Sequence, residues 1–162
     1  MSDDTTRQLA GVLIDCVEGG ASVSFMHPLG AAKAEAFWRG LGGDIAAGAR
    51  ALLVAEDAAG IAGTVQLVLR QPENQPHRAD IAKMLVHRRA RGRGVGAALL
   101  QATEAEARAA NKSLLVLDTV TGSDAERLYR RLGWQLAGVI PDYALLPRGG
   151  LCSTSYYYRQ LD

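Results

Sequence analysis

Arg88-Arg89-Ala90-Arg91-Gly92-Arg93-Gly94-Val95-Gly96 joins two segments of opposite character. Upstream, Ala79 to His87 reads as a strand. Downstream, Gly94 to Ala110 reads as a helix with Val95, Ala98, Leu99, Ala102 and Ala105 as its apolar stripe and Gln101, Glu104 and Arg108 facing water. Alternating glycines let a chain turn tightly and bring backbone N–H groups close to a ligand. The start of the following helix adds partial positive charge, so the place suits a phosphate or pyrophosphate. The bland alternative is a Gly-rich turn carrying solvated arginines. Fifteen of the 18 basic residues are Arg, and four of them fall in this one loop, which favours the anion-binding reading.

Outward from the loop, Ser113 to Asp118 reads as a short buried strand. Strand, helix and strand in that order imply a parallel pair with a right-handed crossover. Ser123-Asp124-Ala125-Glu126 fits a capping box opening a helix that stops at Gly133. Strand-like stretches follow at about Trp134 to Ala144 and Cys152 to Gln160, joined by Pro147-Arg148-Gly149-Gly150. Toward the N-terminus, Ala51 to Glu56 and Ile61 to Arg70 make a hairpin around Asp57-Ala58-Ala59-Gly60. The Ala-rich stretch Ala31 to Ala49 reads as a helix broken at Gly42-Gly43, and Gln8 to Val17 as a first strand. The expectation is one α+β domain, residues 1–162, built on a mixed sheet.

Composition narrows the function. The chain is 48% hydrophobic, which suits a packed core rather than disorder. Its apolar runs are too short to span a bilayer, and no charged-then-apolar leader opens it, so a soluble cytoplasmic protein with no membrane partner is expected. A formal charge of +1 argues against a general nucleic-acid binder. Cys16 and Cys152 lack metal-ligand spacing, so no metal is expected.

Two ligands compete for the loop. Gly92-x-Gly94-x-x-Ala97 matches a dinucleotide fingerprint, with Asp118 where a ribose-binding acid would sit, which keeps a nicotinamide-dependent oxidoreductase in view. The context is wrong for it, because Arg88 to Arg91 separate strand from glycine and nearly eighty residues of other structure come first. The second ligand is acyl-coenzyme A. Arg91-Gly92-Arg93-Gly94-Val95-Gly96 resembles the Arg/Gln-x-x-Gly-x-Gly/Ala signature of the GNAT acetyltransferase superfamily. Ala79 to Val86 looks like that family's fourth strand, and Ala125 to Trp134 like its later helix, with Tyr129 on the family's tyrosine. Glu18 to Met26, Leu117-Asp118-Thr119 and Val139-Ile140-Pro141-Asp142-Tyr143 are similar to the tabtoxin-resistance type of GNAT enzyme. Two departures stand out. Gly122 replaces a frequent cofactor-contacting asparagine, shifting that contact to Ser123, and Asp80 replaces a common glutamate.

The resemblance implies a mostly antiparallel central sheet splayed at a parallel strand pair and flanked by helices. It implies acetyl transfer from acetyl-CoA to the primary amine of a small molecule, an amino-acid-like compound or an antibiotic or toxin, by direct attack in a ternary complex. Arg91, Gly92, Arg93, Gly94, Val95, Gly96 and Ala97 would hold the pyrophosphate, and Met84, Leu85 and Val86 the pantetheine, with the Leu85 amide polarising the thioester carbonyl. Tyr129 would protonate the leaving thiolate, while Asp80, Asp118 or a water chain would take the amine's proton. Phe25, Trp38 and Tyr143 are the expected acceptor walls, and His27 and His87 are read as surface or structural. No acidic run recruits a basic peptide tail. A homodimer is compatible with this fold, and a non-catalytic acyl-CoA sensor is the alternative from outside enzymology.

Overall fold

The computed structural model describes residues 1–162. Its order is α1 (Asp3–Glu18), α2 (Ala31–Gly40), α3 (Gly42–Ala46), β1 (Arg50–Asp57), β2 (Gly60–Val68), β3 (Arg78–Val86), α4 (Val95–Ala109), β4 (Leu114–Val120), α5 (Asp124–Arg131), β5 (Gln135–Leu145) and β6 (Leu151–Gln160). The six strands form one sheet in the order β1-β2-β3-β4-β6-β5. Every neighbouring pair is antiparallel except β3 and β4, which α4 connects. Helices α1 and α2 cover one face, packing Leu9, Leu13, Val17, Ala34 and Trp38 against Ile61 and Leu85. The other face carries α4 and α5, with Leu99, Leu100 and Tyr129 against Val65, Leu67, Leu115 and Tyr157. Strand β2 sits between both layers and is buried over nearly its whole length, as a two-faced strand must be.

Two sequence expectations are corrected here. The segment Gln8–Val17 lies inside helix α1, not in a strand, so the sheet has six strands. Leu9, Val12, Leu13, Cys16 and Val17 are buried at three- and four-residue spacing, the period of a helix face. Ser2 caps that helix by accepting from the Thr5 amide, with Asp3 and Asp4 in the first turn. The stripe of α4 is also rotated. Ala98, Ala102 and Ala105 are exposed, while Leu99, Leu100, Thr103, Glu104 and Ala107 are buried. Alanine costs little on either face, so the two leucines set the rotation. Glu104 is covered because Arg159 of β6 meets its carboxylate at 2.9 Å.

Candidate active site

Strands β3 and β4 pair only from Arg78–Leu114 to Asp80–Val116 and then part. Between them opens a cleft of about 1030 Å³, bounded by the glycine loop, the start of α5, the β5–β6 end and the segment after α1. The parting leaves backbone groups free. His87 donates its amide to Ala62 of β2 at 2.9 Å, in register with Thr64 opposite Leu85. Amides alternate sides along a strand, so Leu85 also points its N–H at β2, and Met84 and Val86 direct theirs into the cleft. The Leu85 amide expected to polarise a carbonyl is therefore occupied, and Met84 and Val86 carry the free donors.

The loop is framed from α1. Asp15, a buried carboxylate, accepts from the Arg88 amide at 2.8 Å and from the Arg88 guanidinium, with His87 at 3.7 Å and Arg91 at 3.8 Å. Arg89 reaches Asp57 and the Ile61 carbonyl, and Arg91 also donates to the Val86 carbonyl at 3.0 Å. Arg93 alone of the four has no hydrogen-bonded or ion-paired partner, so three of the arginines hold the loop's shape. Gly94 caps α4 in the left-handed region at φ 81°, and Gly92 lies there at φ 72°. A Cβ at either would meet nothing within 4 Å, so both face open cleft space with exposed amides around them. Gly96 is close-packed instead: a Cβ there would come within 2.9 Å of a Leu128 methyl on α5, which would have to shift.

At the far side, Asp118 on β4 is exposed to the cleft and accepts from the Thr154 hydroxyl at 3.1 Å. Tyr129 lines the cleft from α5 with its ring packed against Trp134 and Tyr157. Its hydroxyl has no hydrogen-bond partner in the protein. Burial pushes the Tyr129 phenol well above its ordinary value, and the negative charge of Asp118 pushes the same way. Tyr143 enters the cleft from an irregular turn of β5 and shares a 3.0 Å hydrogen bond with Tyr156. That bond, then burial and the charge of Asp118, raise Tyr156 to about 12. Ser123 caps α5 by accepting from the Glu126 amide at 3.2 Å. Glu126 reaches back to the Gly122 amide at 2.6 Å, one residue short of a full capping box. Burial alone would push the Glu126 carboxyl up, yet hydrogen bonds from Gly122 and Tyr157 with the nearby Arg130 hold it below its ordinary value.

The remaining expected residues separate. Phe25 lines the cleft, stacked edge-on against Phe37 at 5.3 Å. Trp38 does not: it is completely buried between α1 and α2, with the half-buried Phe37 ring edge-on beside it at 5.0 Å. Asp80 also lies outside the cleft lining, with its carboxylate taken by Arg78 and by Gln71 at 3.1 Å, where β3 and β4 are still paired. His27 and His87 are structural, the first bonded to Arg148 at 3.0 Å, the second accepting from the Arg89 amide at 3.2 Å. Sequence reasoning missed Lys83. A bulge sets Lys83 and Met84 opposite the single Val65, with Lys83 at φ 49°, and turns the lysine into the cleft. Its Nζ is 3.2 Å from Ser24 Oγ and 5.8 Å from the Phe37 ring centre. No local residue marks a bulge of this kind, so nothing in the sequence announced it.

A mixed sheet that opens at its one parallel pair, with a glycine loop at the mouth of the opening, is the architecture of an acetyl-transferring fold. A family profile described as an acetyltransferase (GNAT) domain matches residues 48–136. The chain belongs to that family and is a GNAT acetyltransferase. Among solved structures, a ribosomal-protein-alanine N-acetyltransferase from Brucella melitensis is 21% identical, with 99% of this chain and 97% of that one covered at a TM-score of 0.81. A GCN5-related N-acetyltransferase from Kribbella flavida is 24% identical, with 99% and 95% covered at a TM-score of 0.79. A phosphinothricin acetyltransferase from Sinorhizobium meliloti, solved in complex with acetyl-CoA, is 18% identical, with 99% and 85% covered at a TM-score of 0.79. These likenesses concern the fold.

Proposed function

We propose that the chain moves an acetyl group from acetyl-CoA to the primary amine of a small molecule, by direct attack while both are bound. The observation that carries the reading is the pairing of Tyr129 and Asp118 across the point where β3 and β4 part. One is a buried, neutral, unpartnered phenol, the other an ionisable carboxylate open to the same space. The residues fit the coenzyme. The loop amides at the start of α4, open space over Gly92 and Gly94, and the β3 donors of Met84 and Val86 suit a pyrophosphate followed by an amide-bearing arm.

When bound, acetyl-CoA supplies the activated acetyl thioester. Loop residues Arg91 to Ala97 hold its phosphates, with Ser123 and α5 on the other flank. The Met84 amide offers a preorganised donor where charge develops on the reacting carbonyl oxygen. Asp118, kept in place by Thr154, holds the incoming ammonium and takes its proton directly or through water, since only a neutral amine attacks. Tyr129, protonated at neutral pH as any phenol is and more so for its burial, delivers its proton to the departing sulfur. Asp80, engaged by Arg78 and Gln71, is left with a structural part, and Phe25 and Tyr143 serve as acceptor walls.

The similarity of Glu18–Met26, Leu117–Thr119 and Val139–Tyr143 to tabtoxin-resistance enzymes supports an amino-acid-like amine or toxin as acceptor, with inactivation of such a compound as the role. Both cysteines are unpaired, which suits a reducing cytoplasm. Strand β5 is exposed along its length and presents Leu136, Val139 and Ile140, a surface that suits a second copy in a homodimer. The test is release of free thiol from acetyl-CoA across a panel of small amines. Amine-dependent release is expected. Acetyl-CoA binding without release on any amine would make the chain a sensor, and binding of NADH alone would return the dinucleotide reading.

A further inference from the structure

The acceptor end of the cleft holds one lysine with no ion-pair partner in the protein. Lys83 extends from the β3 bulge into the cleft, and no carboxylate comes within ion-pair distance of its ammonium, whose one hydrogen-bond partner is the neutral Ser24 hydroxyl at 3.2 Å. Lys83 is half-buried, and a partly desolvated ammonium favours an anionic partner. Here burial lowers the ammonium's proton affinity, and the charge of Asp118 partly restores it. The backbone adds an independent sign. Lys83 at φ 49° and its partner Ser24 at φ 77° both sit in the left-handed region, and neither is a glycine. Strain of this sort persists where a side chain must be aimed, and these two aim at each other across the acceptor wall. The site then has a polarity: Asp118 on β4 suits a substrate's ammonium, the opposite β3 wall suits its anion, and Phe25 and Phe37 supply apolar surface beside the lysine.

We propose that Lys83 binds a carboxylate of the acceptor, so that the amine acetylated here is a zwitterion that keeps a free acid group. The inference rests on the small-amine reading above and narrows it. A peptide N-terminus, whose nearest carboxyl is already an amide, lacks the group that Lys83 requires.

The experiment compares amino acids (α, β and γ) with their own primary amides as acceptors, following thiol release with acetyl-CoA saturating. The wild type is expected to prefer the acid over the amide by about 10- to 100-fold in kcat/KM, the worth of one charge-assisted hydrogen bond. Lys83→Met is expected to bring that ratio near one, through the acceptor KM, with the acetyl-CoA KM unchanged. Lys83→Arg is expected to keep part of the preference. Lys83→Gly accepts the left-handed backbone freely and provides a second neutral variant should the methionine fold poorly. Equal use of acids and amides by the wild type would overturn the inference alone. So would a preference that survives Lys83→Met and Lys83→Gly, or a loss that appears in the acetyl-CoA KM. Thiol release with no amine of the panel would remove the small-amine reading, and this inference with it.

Discussion

The two ends of the cleft are made of different materials. At the loop end, one contiguous run, Arg91 to Ala97, presents backbone amides, and its shape is fixed by arginines tied to Asp15 and Asp57. At the acceptor end, Phe25, Lys83, Asp118, Tyr129 and Tyr143 arrive from five separate segments and act through side chains. The first end depends on local chain geometry, and on side-chain identity where a glycine is required or where Asp15 and Asp57 tie the arginines. The second depends on where a bulge and an irregular turn leave a few atoms. One fold can therefore keep its coenzyme while its acceptor varies.

The largest effect is expected at the loop end. Gly94→Glu places a carboxylate in the open space over the loop, where the phosphates would lie, and should weaken acetyl-CoA binding by at least about 100-fold by calorimetry. The left-handed backbone at φ 81° adds about 1–2 kcal/mol of strain, so the melting temperature should fall while the circular dichroism stays native. Unchanged affinity would leave the two ends without the division of labour described.

Next comes Tyr129→Phe at the reacting centre. It keeps the ring against Trp134 and Tyr157 and removes one oxygen. The expected result is a kcat lower by about 10²–10⁴-fold with acetyl-CoA affinity nearly constant. A kcat within about twofold of wild type, with chemistry limiting, would reduce Tyr129 to packing and leave water as the donor.

Asp15→Asn tests the frame behind the loop. It leaves Arg88 and Arg91 without their shared carboxylate, and unfolding in denaturant should register a loss of about 2 kcal/mol. Arg88 is 55% exposed, so solvent screens part of the pair and the loss stays below that of a sealed one. The acetyl-CoA Kd should rise several-fold, and the acid-to-amide preference should not change.

The smallest effect is on the pH dependence of stability. The folded state holds the Tyr129 proton more tightly than the unfolded chain, whose phenol ionises near 10. Stability from this group is complete below pH 10 and is lost as pH rises above it, because the unfolded state then binds fewer protons. The alkaline fall in melting temperature should be shallower in Tyr129→Phe.

The same contrast explains what could be read before the fold was in hand. The glycine loop, the hairpin, the β3–α4–β4 unit and the Ser123 cap rest on local chemistry, and each lies where its residues indicate. The first segment reads as a strand because Leu9 to Cys16 is short and apolar. Burial at Leu9, Val12, Leu13, Cys16 and Val17 shows the helical period that governs it. Trp38 and Asp80 have the right chemistry in the wrong place, one sealed against α1 and one held by Arg78 where β3 and β4 are still paired. Lys83 was invisible because an extra residue in one strand reverses which face a side chain meets, and that depends on the pairing with β2.

Every role assigned to the cleft depends on coenzyme binding in the β3–β4 opening. Calorimetric titration of the wild-type protein with acetyl-CoA, and separately with NADH, reads this without knowledge of the acceptor. Saturable one-to-one binding of acetyl-CoA with no heat from NADH is the expected result. Saturable NADH binding with none from acetyl-CoA would contradict it.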